Sequence, residues 1–156
     1  MDYGFAPHKN ATRPTADIEN DGWFPVLQLA EFADIYGIAA ELSDAQLEHC
    51  LLLAMDRANQ SLAKFKAAQV AQGIERLADV PAGQLGGKSA AVGNYKRAAY
   101  SMAKADLLRE SISMDRKADA ENAANSAVEM VDFYERQATR ALANLQGMGA
   151  VGVHLI

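Results

Sequence analysis

Apolar residues recur at intervals of three and four over two long stretches of this chain, 44–72 and 89–146, and all four prolines lie outside them. In the first stretch Leu47, Leu51, Ala54, Ala58, Leu62, Phe65 and Ala68 form one stripe. Ser43 offers an N-cap oxygen, Gln46 completes a capping-box pattern three residues on, and Gly73 stands where a helix would stop. The spacing therefore predicts one long helix over 44–72. In the second stretch Tyr95, Ala98, Met102, Ala105, Leu108 and Ile112 predict a helix over about 89–114, with Gly93 weakening its first turn and Asn94 as an alternative N-cap. Ala120, Ala124, Ala127, Val131, Tyr134, Ala138, Ala141 and Leu145 predict another over about 117–146, ended by Gly147. A short helix over 26–36 stops near Gly37.

The segments between these stripes have no such period. Residues 1–25 mix Pro, Gly, Asn and charge and read as a mobile N-terminal arm. Its exceptions, Trp23 and Phe24, are expected to cap the apolar end of the helices rather than to bind a partner. Residues 73–88 hold four glycines and Pro81, and Ile74, Leu77 and Val80 would pin this connector to the helices. The predicted fold class is all-α: an elongated antiparallel bundle of about three long helices and one short one, the helical domain covering 26–146. Alanine fills 31 of 156 positions, which lets helices approach closely but buries little area per residue, so neighbouring copies are expected to supply part of the stability.

The last ten residues, 147–156, carry no charged side chain and include Gly147, Gly149 and Gly152. Three glycines argue against a helix, at about 1 kcal/mol each relative to alanine. If the segment is extended, Val151, Val153 and Leu155 share one face. Two readings stay open: a strand or plug packed on its own domain, or a tail that docks into another subunit.

Charge narrows the function classes. The net charge of −5 disfavours a protein that grips nucleic acid through its phosphates. The distribution is uneven: residues 1–43 carry 7 acidic and 2 basic side chains, whereas residues 88–117 carry 3 and 7. Acidic and basic surfaces on one molecule suit head-to-tail contact between copies, a heterologous interface that can close into a ring. The single cysteine, Cys50, excludes an internal disulfide and suits a reducing cytosol, and no stretch approaches the roughly 20 apolar residues of a membrane helix. The N-terminus has no leader pattern, which predicts a protein that stays inside the cell where it is made or leaves it only by lysis.

Candidate chemistry is sparse. His49 and Cys50 are adjacent and would point about 100° apart on a helix, which reads as a partly buried pair rather than a metal site. No Glu-x-x-His pair or H-E-x-x-H motif is present, and no Ser, His and Asp spacing proposes a nucleophile. The run Gly83 to Ser89 resembles a phosphate loop only superficially, because Ala82 stands where the first glycine would be. No catalytic residue, cofactor or metal is predicted.

Three segments in order carry a family resemblance: "RLADVPA" (76–82), "YKRAAYSMAKADLL" (95–108) and "DRKADAENAANSAVEMVDFYERQATRALANLQG" (115–147), followed by a tail ending "HLI". Over roughly 44–156 the chain resembles the L-type head completion proteins of contractile-tailed phages. The resemblance implies a structural virion protein in the head-tail neck, assembled in the host cytoplasm. It implies an adaptor ring, usually of about twelve copies, on the portal vertex. The partners it implies are the portal protein and a tail terminator or neck protein, with packaged DNA passing through unbound and no membrane contact. It also implies that the tail docks in the portal through Val151, Val153, Leu155 and Ile156. Acidic side chains near the turn between the last two helices, Asp115, Asp119 and Glu121, are then candidates to line the channel. The competing expectation is a cytosolic helical interaction or regulatory module that uses the same tail for another partner. An enzyme or metal protein on a helical bundle is the third.

Overall fold

The computed structural model describes residues 13–114 and 121–150, with the side chains of the last helix described from Asn125 to Met148. Helices dominate: α1 (Leu29–Tyr36), α2 (Asp44–Ser61), α3 (Ala63–Ala71), α4 (Ala90–Met114) and α5 (Glu121–Ala150). Two antiparallel pairs of two-residue strands join them, β1 (Asp17–Ile18) with β2 (Leu27–Gln28), and β3 (Gln84–Leu85) with β4 (Lys88–Ser89). The helix starts and stops follow local chemistry. Ser43 and Gln46 form the expected capping box at the start of α2, and Gly37 ends α1 in the left-handed conformation at φ 58°. The β3–β4 turn needs positive φ at both central positions, and Gly86 and Gly87 supply it, so this glycine run is a tight hairpin and not a phosphate cradle.

The helix α4 is the centre of the molecule. Ala91, Tyr95, Ala98, Ala99, Tyr100, Ser101, Ala103 and Ala105 are all buried, because α1 and α2 cover one side of it and α5 the other. The stripe read from the sequence is thus only one of its two buried faces. On α5 the stripe holds as a sustained alternation of four and three: Ala127 and Tyr134 are half-buried, and Val131, Ala138, Ala141 and Leu145 are buried. That 3.5-residue repeat keeps one seam of α5 against α4 along its length. The two helices run antiparallel, with Asn144 beside Asn94 at one end of the contact and Arg109 paired with Glu135 farther along.

Three expectations change. The helix predicted over 44–72 breaks at Leu62 (φ −101°, ψ 8°) into α2 and α3. The Ser61 hydroxyl donates back to the Arg57 carbonyl (2.9 Å), a contact that bends helices, and the Gln146 side chain of α5 donates to the Ser61 carbonyl (3.3 Å). The bend rotates the second half, so Phe65 and Gln69 are buried and Ala68 is exposed. The helix predicted to stop at Gly147 continues to Ala150. Met148 packs on the core one turn beyond the fully buried Leu145, and that contact offsets the glycine cost.

The third change concerns the arm. Residues 13–25 are packed on the helices, so the expectation of a mobile segment over 1–25 does not hold for them; residues 1–12 lie outside the described residues. The buried Arg13 guanidinium donates to the carbonyls of Ala39 (2.8 Å) and Leu42 (2.9 Å) and pairs with Asp44 (2.8 Å). Trp23 and Phe24 are buried, as expected of residues that cap the apolar end. The Trp23 ring donates to the Ile74 carbonyl (3.1 Å), and its own carbonyl accepts from the Leu77 amide (2.9 Å), so this one residue fastens the 73–80 connector. Phe24 stacks on Tyr95 at 4.9 Å between ring centroids, and Phe32 on Tyr100 at 5.3 Å.

Candidate interaction site

The described residues offer surface grooves and a buried polar framework, with no cluster of His, Cys, Asp and Glu able to hold a metal ion. The framework fixes where α1 and the N-terminal segment sit on α4. Tyr100 accepts from the Gln28 amide (3.2 Å) and donates to Glu31 (2.7 Å), which also holds Lys96 (2.9 Å). Burial alone would raise the Glu31 carboxyl, but the hydrogen bonds from Lys96 and Tyr100 outweigh it and hold it below the usual carboxylate range. Asp21 is held low in the same way: Lys66 and the amides of Phe24 and Trp23 overcome the cost of burial.

Two grooves lie where α2 meets α4. One, of about 440 Å³, lies between α2, α4 and α5 and is bordered by Arg57, Ser61, Met102, Arg109 and Glu135. Its charges are paired among themselves, Arg57 and Arg109 both with Asp106 and Arg109 also with Glu135. The other, of about 480 Å³, contains His49, Cys50, Asp106 and Glu110. His49 is exposed, contrary to the expected partly buried pair, whereas Cys50 is half-buried and its thiol donates to the Ala103 carbonyl (3.4 Å). Burial, with Asp106 and Glu110 nearby, pushes the thiol up to about 11, so it is a packing residue and a poor nucleophile at neutral pH.

A third groove, about 640 Å³, opens on α4 and α5 between Arg97, Phe133, Arg136, Gln137 and Arg140. Phe133, Arg136, Gln137 and Arg140 follow the i, i+3, i+4, i+7 spacing of one helix face. None of the three arginines has a carboxylate within 4 Å among the described residues, and Phe133 is 57% exposed with Met130 (44%) one turn before it. This surface was not singled out from sequence. Its signal is weak there, because Arg136 and Arg140 sit in a segment that is acidic on balance and join Arg97 only through the α4–α5 contact.

Of the site residues expected from sequence, Val151, Val153, Leu155, Ile156, Asp115 and Asp119 lie outside the described residues. Glu121 opens α5, beside the turn expected to carry the channel-lining acids. The ten-residue tail begins later than its composition suggested, since Gly147–Ala150 belong to α5. No helix among the described residues is long and apolar enough to cross a membrane.

Residues 18–156 match the family described as phage head completion protein (GPL). The match reaches upstream of the resemblance seen from residue 44, taking in Ile18 of β1, the Trp23–Phe24 pair and α1. Among curated proteins, the chain is 29% identical over 130 residues to the head completion/stabilization protein of Escherichia phage P2, covering 83% of this chain and 77% of that one. No solved structure matches. With nearly the whole described fold inside the matched region, the chain belongs to the phage head completion protein family.

Proposed function

We propose that this head completion protein acts as a head-to-tail adaptor: copies form a ring on the portal vertex, extend the DNA channel and give the tail its platform. Its role is structural, in head assembly, and its family is not a class of enzyme. The observation that carries the adaptor reading is the match over residues 18–156 together with the relative's description as a head completion/stabilization protein. The portal protein and a tail terminator or neck protein are the proposed partners, in the virion neck. Val151, Val153, Leu155 and Ile156 follow the end of α5 and dock in the portal, burying an uncharged segment against its subunits. Asp115 and Asp119, which lie in sequence between α4 and α5, and Glu121, which opens α5, line the channel, where negative charge lets the duplex slide.

Quantitative mass spectrometry of purified, DNA-filled particles tests this reading. A ratio of this chain to the portal protein near one to one is the expected result; absence of the chain from particles overturns it. The tail is tested by deleting 151–156, which leaves α5 intact. Loss of genome or tails from filled heads is expected, and normal particles would remove the docking role.

A further inference from the structure

The geometry points to one specific contact between copies of this chain: the groove of Arg97, Arg136, Arg140 and Phe133 on one copy receives the outer face of α2, with Glu48, Leu52 and Asp56, from the next. It rests on the ring reading above and names the surfaces that would build the ring.

The two faces are complementary in charge and in apolar content. The groove presents three guanidinium groups, none within 4 Å of a carboxylate among the described residues, around an exposed aromatic ring. The outer face of α2 presents Glu48 and Asp56, neither within 4 Å of a cation among the described residues, on either side of the exposed Leu52, with exposed Leu53 beside it. Arg57 follows Asp56 but turns inward to Asp106, which leaves the outer face acidic. Arginine and aromatic side chains together are characteristic of protein interfaces, whereas a nucleic-acid backbone has no use for an apolar ring between the cations.

Among the described residues neither Glu48 nor Asp56 pairs with Arg97, Arg136 or Arg140, so the two faces do not satisfy one another within one chain. On α5, Glu135 and Thr139 border the groove on the α2 side, while Phe133, Gln137 and Arg140 project about 100–160° around the helix from them and Arg136 stands between the two faces. A contact between one face of this chain and the other face of the next copy is heterologous, and repeated it closes into a ring or continues as an open chain.

Charge reversal tests the pairing, because all four reversed side chains are on the surface and circular dichroism reports whether each variant keeps its helices. R97E/R140E is expected to lower the copies of this chain per portal in particles by roughly tenfold or more, since like charges then face one another. Adding E48R/D56R to the same chain restores complementarity with both signs exchanged, and incorporation is expected to recover. Normal incorporation of R97E/R140E, or failure of the four-residue variant to recover, overturns the contact while leaving the chain-to-portal ratio of the wild type to judge the ring. If the wild-type chain is missing from particles, the ring reading falls, and sedimentation of R97E/R140E mixed with E48R/D56R decides the contact: assemblies that contain the two variants in equal amounts and form from neither variant alone support it, and monomers in the mixture refute it.

Discussion

The Tyr95 hydroxyl donates to the Asn59 side-chain oxygen at 2.6 Å, closing a ring of three hydrogen bonds. Asn59 donates to Asn20 (2.8 Å) and Asn20 donates to Tyr95 (2.8 Å). The three residues come from α2, the N-terminal segment and α4, so the ring ties together parts of the chain up to 75 positions apart. Tyr95 is fully buried, and burial, with Asp21 nearby, raises its pKa well above that of a free phenol even though the hydrogen bond from Asn20 pulls the other way. Replacing Tyr95 by Phe keeps the ring stacked on Phe24 but strands the Asn59 oxygen and one Asn20 N–H. The expected loss is about 1–3 kcal/mol in urea unfolding. Because the three bonds share partners, Y95F/N59A should cost clearly less than the sum of the single variants.

Acid should weaken the attachment of α1 and the N-terminal segment. Glu31 and Asp21 have native pKa values below their ordinary values of 4.5 and 3.8. A depressed carboxylate contributes stability that is complete above its unfolded pKa and lost as pH falls through its folded one. Stability measured by chemical unfolding should therefore be flat from neutral pH to about pH 5 and fall below that. E31Q should lower the plateau by about 1.5–3 kcal/mol and flatten the acid limb, since Lys96 and Tyr100 lose their charged partner. An unchanged acid limb in E31Q would assign the loss to other groups.

Cys50 should react slowly while the protein is folded. With its thiol titrating near 11 against an ordinary value of 9.0, alkylation by iodoacetamide at pH 8 should be about 100-fold slower than in the unfolded chain. Comparable rates in the two states would mean that α2 opens locally around Cys50.

Two glycines should be replaceable with gain. Gly93 in α4 and Gly147 in α5 lie in helices, and a Cβ at either would meet no atom within 4 Å. G93A and G147A should each raise stability by about 0.4–1 kcal/mol in thermal unfolding. The Gly147 variant is the sharper test, because a chain that left the helix at this residue would gain nothing.

Leu145 anchors the C-terminal half of α5 in the core. It is fully buried and belongs to the hydrophobic core cluster, on a helix that packs against α4 and α3. L145A should cost about 2–5 kcal/mol. A smaller loss would show that the cavity collapses, with Met148 moving in from one turn away.

The periodic stripes of this sequence determined its helical class, the start of α2 at Ser43, the stop of α1 at Gly37 and the seam of α5. Each of these depends on residues three or four apart, or on a single cap, which is information that a local stretch contains. The family was legible too, through the order of three segments from residue 76 onward. Tertiary structure decided the rest. Whether Trp23 packs inward depends on Ile74 and Leu77, more than 50 positions away, and the break at Leu62 depends in part on Gln146 reaching Ser61. The persistence of α5 through Gly147 required Met148 to find the core, a packing gain that outweighs a propensity cost of about 1 kcal/mol. The arginine groove arises for the same reason: Arg97 and Arg140 are 43 positions apart in sequence and become one surface only because α4 and α5 pack antiparallel. Propensity and caps act within a turn or two of helix, whereas burial and charge complementarity act between elements, and only the folded chain shows which elements meet.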